Sequence, residues 1–291
     1  MTWQFIMAGL LVGVLVGMTG MGGGSLMTPM LILIFGFDPK TAVGTDIVHG
    51  AIFKSFGAMR HRKLGNVNLP LAAWMLLGSG PCSLVGVELA TSFSDGAEAT
   101  MSKIIGGALI LGGLGFLART FVKPSVDPDA GPFRLSTRDK LFAVLIGASC
   151  GFVVGLTSVG SGTFFGLFML FLFPLSATQM VGTDVTHAAA LLWIAGAGYL
   201  LHGSVDLHAI AWLLVGSIPG VLLGASLSIK VPDRVLRTSF AFVLMLSGIK
   251  LVKLPGATTV IEVVVALGAL GIVGWAVRQA QQRRVAVEGP V

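Results

Sequence analysis

The chain has 291 residues, of which 54% are hydrophobic and 11% charged, with a formal net charge of +6. A soluble domain carries roughly 25% charged residues, so the composition excludes an ordinary soluble enzyme. The basic excess lies in short connections between apolar runs, which excludes a nucleic-acid surface and makes it an orienting signal for a membrane protein.

Apolar runs of about 17–25 residues recur along the chain, each long enough to cross a hydrocarbon core of roughly 30 Å as a helix. Lipid offers no partner to an unpaired backbone N–H or C=O, so an all-α integral membrane protein is expected. Runs and breakers place helical segments at about 3–20, 24–36, 41–59, 69–92 and 97–118 in a first half. In a second half they fall at about 139–158, 162–173, 177–201, 207–229 and 233–252, and an extra span at about 258–277 follows. The chain therefore divides into a membrane repeat at 1–120, a hydrophilic linker at 121–138, a second membrane repeat at 139–253, and an extra transmembrane helix with a basic tail at 254–291.

The two halves repeat each other. "GMTGMGGGSL" from Gly17 aligns with "GLTSVGSGTF" from Gly155, an offset of 138 residues. At that offset Gly44-Thr45-Asp46 meets Gly182-Thr183-Asp184, His49 meets His187, Trp74 meets Trp212 and Pro81 meets Pro219, without a gap. The first apolar run resembles a signal peptide but has no basic n-region, and its counterpart is internal, so it reads as a first span. Five segments per half is an odd number, which makes the repeats inverted in topology. Eleven crossings would bring the linker, the Arg60 to Lys63 cluster, the group Lys230, Arg234 and Arg237, and the tail arginines to the cytoplasmic side, with Lys250 and Lys253 as exceptions. The segments 24–36 and 162–173 are short for a full span and read equally as half-helices or re-entrant segments.

Chemistry concentrates at two paired motifs. The glycine-rich breaks Gly22, Gly23, Gly24, Ser25 and Gly160, Ser161, Gly162, Thr163 stand between an apolar span and a short apolar segment. Glycine costs about 1 kcal/mol within a helix, so each run ends one helix and begins the next at depth. A helix that starts there presents free N–H groups and the positive end of its dipole, which suits an anion. Close helix packing is the plain alternative for glycine in a membrane.

The second motif sets Asp46 with His49 and Asp184 with His187, three residues apart and so on one helix face. An aspartate at mid-helix costs about 2.5–3.5 kcal/mol in lipid. A carboxylate beside an imidazole can hold or pass a proton, with Thr45 and Thr183 as neighbouring hydroxyl donors; alternatively the aspartates cap their own helices. Lys54, opposite Leu192 in the repeat, has two readings: a side chain that snorkels to the interface, or a cation that balances a bound anion. Cys82 and Cys150 have neither the number nor the spacing of a disulfide framework or zinc site and read as packing residues.

"GMGGGSLMTPML" from Gly20 and "AVGTDIVHGAIFKSFGAMRHRKLGNVN" from Ala42, with "TSVGSGTF" and "MVGTDVTHAAALLW" in the second half, resemble the TauE/SafE sulfite exporter family. The second-half copy is looser, with Ser161 where the first half has Gly23. The resemblance implies a prokaryotic plasma-membrane carrier of small sulfur-containing anions such as sulfite, sulfoacetate or other organosulfonates.

These observations lead us to expect a secondary active transporter without a cofactor. Its partners would be the lipid bilayer, a small anion and a coupling proton. The linker and C-terminus would be cytoplasmic. Two rivals remain at this point: a proton-coupled cation or divalent-metal carrier built on the Asp/His quartet, and a membrane-embedded enzyme or its assembly partner.

Overall fold

A computed structural model describes residues 2–19, 24–93, 96–121, 133, 135–227 and 233–253. Among these there are ten helices and no strand. In chain order they are α1 (Thr2–Thr19), α2 (Gly24–Leu33), α3 (Pro39–Lys63), α4 (Leu69–Ser92), α5 (Glu98–Phe121), α6 (Thr137–Thr157), α7 (Phe164–Leu172), α8 (Ala177–Leu201), α9 (Leu207–Leu227) and α10 (Asp233–Val252). The expected span at 258–277, the glycines Gly22 and Gly23 and most of the linker lie outside the described residues.

Helix boundaries follow from local chemistry that the two halves share. Asp38 caps α3 by accepting from the amide of Lys40 at 2.9 Å, with Pro39 fixing the first turn. Ser176 caps α8 by accepting from Gln179 N at 3.2 Å. Both helices stop at a glycine in the left-handed region, Gly65 (φ 70°) and Gly203 (φ 66°). Five helices, α4, α5, α6, α8 and α9, are long and apolar enough to cross a membrane. The chain is a multi-pass membrane protein. The helix α2 has 10 residues and α7 has 9, which at 1.5 Å per residue gives only about 15 Å and about 14 Å, half of a bilayer core. Both are shorter than their sequence suggests.

Glycine decides how the helices meet. α1 lies parallel to α9 and α4 parallel to α6. A Cβ at Gly9, Gly13, Gly216 or Gly224 would strike the backbone of the facing helix, and so would one at Gly147, Gly151, Gly78 or Gly86. The second set is the first displaced by the repeat offset, so the two interfaces are one solution used twice. Without side chains in the way, backbones approach closely and gain van der Waals contact that lipid tails would otherwise supply. At the centre, α3 runs antiparallel to α8, with Gly50 near Leu192 and Gly57 near Val185, and α5 runs antiparallel to α10. The most extensive helix pairs therefore join one half to the other.

Candidate functional site

The site is built around the break between α6 and α7. Residues 158–163 form irregular turns, in which Gly160 (φ 114°) and Gly162 (φ 124°) adopt a backbone that a side chain would strain. The break is held from α3. Asp46, 1% exposed and in the third turn of α3, accepts from Ser158 Oγ at 2.9 Å through its Oδ2. The same oxygen accepts from Thr28 Oγ1 at 2.6 Å and Thr28 N at 3.2 Å. Two turns later Lys54, 3% exposed, donates to Ser161 O at 2.7 Å and to Ser161 Oγ at 2.9 Å. Lys54 thus points inward, and the snorkelling expectation fails: the stem that could have reached the interface carries the charge into the core.

From this held loop α7 begins. Thr163 stands at its N-cap position without a side-chain cap bond, and its buried Oγ1 has no partner among the described residues. The first turn of a helix carries N–H groups without intrahelical acceptors, so the hydroxyl and the amides face a common need for an acceptor. Beside this turn runs the α8 face carrying Met180, Asp184 and His187. The His187 ring lies 4.4 Å from that of Phe165, and its Nε2 shares a 2.8 Å hydrogen bond with Ser79 Oγ. Asp184 is buried, makes no hydrogen bond among the described residues, and leaves Oδ1 without a partner. It lies within electrostatic reach of two cations, Lys54 and Arg119.

Several sequence expectations change. Asp46 and Asp184 cap neither of their own helices, since Asp38 and Ser176 do that. The hydroxyls of Thr45 and Thr183 accept from Asp206 N and Asn68 N, both at 2.9 Å; they fix the loops that start α9 and α4, away from the break. The Asp/His quartet is not gathered into a metal centre: no three His, Cys, Asp or Glu side chains converge among the described residues. His49 instead bonds Ser217 Oγ at 3.0 Å, and with Asp46, Lys54 and Ser217 it lines a cavity of about 10 Å³, room for one water molecule. Gly24 opens α2, and Ser25 follows it in that helix. Cys82 and Cys150 are both free.

Five contributors escaped the sequence reading. Thr28 and Ser158 donate to Asp46 Oδ2, and a lone threonine inside a short apolar segment was a usable signal. Ser79 and Ser217, the partners of the two histidines, sit at the repeat offset and were legible by it. Arg119 gave no signal, because at the border of a basic linker it looks like an orienting charge.

Residues 5–251 match the family described as sulfite exporter TauE/SafE. The "Probable membrane transporter protein YjnA" of Bacillus subtilis is 38% identical over 255 residues, covering 87% of this chain and 100% of its own. A second Bacillus subtilis protein, "Probable membrane transporter protein YdhB", is 27% identical, covering 83% of this chain and 96% of its own. The archaeal "Probable membrane transporter protein MJ0441" of Methanocaldococcus jannaschii is 30% identical over 54% of this chain and 57% of its own. No solved structure matches the chain.

Proposed function

The chain belongs to the sulfite exporter TauE/SafE family, and from that premise we propose a secondary transporter that carries a small sulfur-containing anion across the cell membrane. Sulfite, sulfoacetate or another organosulfonate would be the cargo, held at the N-terminus of α7. It is a carrier and not an enzyme, in keeping with relatives named as membrane transporters. One observation carries the anion reading above the others. The buried Thr163 hydroxyl, without a partner among the described residues, opens a helix whose first turn has no side-chain cap, beside a buried lysine. Donors without acceptors at membrane depth cost free energy, and an oxyanion supplies the acceptors. Such broken helices at mid-membrane are a common way for carriers to build a substrate site.

The antiparallel packing of α3 on α8 and of α5 on α10 supports inverted repeats, and the basic residues of the linker and tail favour the cytoplasmic side for both. Proton coupling follows from charge. The buried groups Asp46, Asp184, Lys54 and Arg119 balance one another, and an added anion would leave an uncompensated charge in a medium that penalises it heavily. A proton taken up on Asp184 restores neutrality. Transport should then proceed without net current.

The test is uptake by the purified protein in liposomes of labelled sulfite, sulfate, sulfoacetate and taurine, with and without an imposed pH gradient. Uptake of sulfite or sulfoacetate that grows with the pH gradient is the expected result. A folded protein that moves none of the four would remove the proposal. A second reading, a divalent-metal carrier, has no converging ligand set behind it.

A further inference from the structure

Arg119 ends α5 at the edge of the hydrophilic linker, where its long side chain had a short route to water. It is only 6% exposed. Its Nη2 donates to Met180 Sδ at 3.3 Å, and its guanidinium fills the volume a side chain at Gly166 would need, since a Cβ there would collide with Nη1. Gly166 belongs to the first turn of α7, three residues beyond Thr163. On the α5 face one and two turns earlier, Gly112 and Gly115 also face α7; a Cβ at Gly112 would stand 3.8 Å from Thr163 Oγ1. The α5 face is thus cut away by glycine along the start of α7, and ends in a cation folded back over it. Met180 and Asp184 are four residues apart on α8 and share a face, which places the carboxylate on the same side as the guanidinium.

We propose that Arg119 is the second cation of the oxyanion site, and that its planar fork selects anions presenting two oxygens of one sulfite- or sulfonate-type group. Lys54, fixed to Ser161, acts as a point charge at the loop; Arg119, fixed over Gly166, reads shape. The α7 amides and Thr163 Oγ1 take the remaining oxygen. A guanidinium matches two oxygens of one group in a way an ammonium or a lone helix end does not. The ordinary alternative is structural: a basic residue in the last turn of α5, paired with Asp184 and stabilising that helix end. The inference rests on α7 being the anion site.

The two accounts part on selectivity. In full-length protein in detergent, binding of sodium sulfite is measured calorimetrically, with methanesulfonate and bromide as monovalent competitors. Wild-type protein should prefer methanesulfonate to bromide by at least about tenfold, the worth of a charge-assisted hydrogen-bond pair. Arg119→Lys keeps the charge and loses the fork, and should lower sulfite affinity by about tenfold or more while bromide binds as before. Gly166→Ala displaces the guanidinium with its charge intact and should do the same. Unaltered sulfite affinity in both variants, or a wild-type protein indifferent to methanesulfonate over bromide, would make Arg119 a structural residue. Wild-type protein that binds none of these anions would instead overturn the α7 site itself, and this inference with it.

Discussion

The two halves of the protein share a scaffold and differ in chemistry. At the α3 position Asp46 takes three hydrogen bonds on one oxygen, from Thr28 and Ser158. At the matching α8 position Asp184 takes none among the described residues, and its Oδ1 has no partner there. The reason is visible residue by residue: the repeat places Gly166 opposite Thr28 and Gly20 opposite Ser158, so the donors were never present on one side. Lys54 meets Leu192 in the same way. By contrast, the histidine–serine pairs and the threonines that fix the α4 and α9 loops recur in both halves with nearly equal distances. The backbone and its close approaches are common to the two halves, whereas among the described residues one carboxylate is held through Oδ2 by the protein and the other is not.

The comparison breaks first at Lys54, the charge both halves share. Lys54→Met removes the cation from the loop and leaves two buried carboxylates under-compensated, an effect of roughly 3–5 kcal/mol. Sulfite binding measured by calorimetry should fall by about a hundredfold or more. The aspartates should then separate. Asp46→Asn loses charge-assisted bonds of about 1.5–3 kcal/mol each and should lower the melting temperature by several degrees while stimulation by a pH gradient persists. Asp184→Asn breaks no hydrogen bond among the described residues but leaves the buried Lys54 and Arg119 less compensated, so it too should lower the melting temperature, and it alone should abolish that stimulation. Identical behaviour of the two variants in both assays would end the division of labour proposed here.

Two matched pairs sharpen the symmetric side. Gly78→Val and Gly216→Val each press a branched side chain into the facing backbone, so each should cost about 1–3 kcal/mol, and by similar amounts, in a thermal melt. Ser79→Ala and Ser217→Ala remove equivalent histidine partners and should each cost about 1 kcal/mol. Unequal losses within a pair would show that the repeat geometry is not shared in energy.

Much of the architecture could be read from the chain because it depends on local rules. Apolar runs and breakers placed helices to within a few residues, and α4, α8 and α10 fell on their expected bounds; the caps at Asp38 and Ser176 and the stops at Gly65 and Gly203 are the local chemistry behind the bounds of α3 and α8. The short α2 and α7 were longer on paper because their apolar runs continue past the last helical turn. What could not be read was direction. The Lys54 stem fits an inward or an outward course equally well, and only the seat offered by Ser161 decides. Arg119 is hidden for the same reason: its inward course depends on Gly166 being empty, a relation between residues far apart in sequence. The hydroxyls of Thr45 and Thr183 pointed toward the anion site by proximity in sequence, yet the loops of the opposite half claim them.

The central claim is that an oxyanion sits at the start of α7. The most direct measurement is a structure of the protein with selenite, a sulfite analogue whose selenium is located by anomalous scattering. The account predicts one peak within hydrogen-bonding reach of Thr163 Oγ1 and the amides of residues 164–166, between Lys54 and Arg119. A saturating selenite peak elsewhere, with that helix start filled by protein side chains, would contradict it.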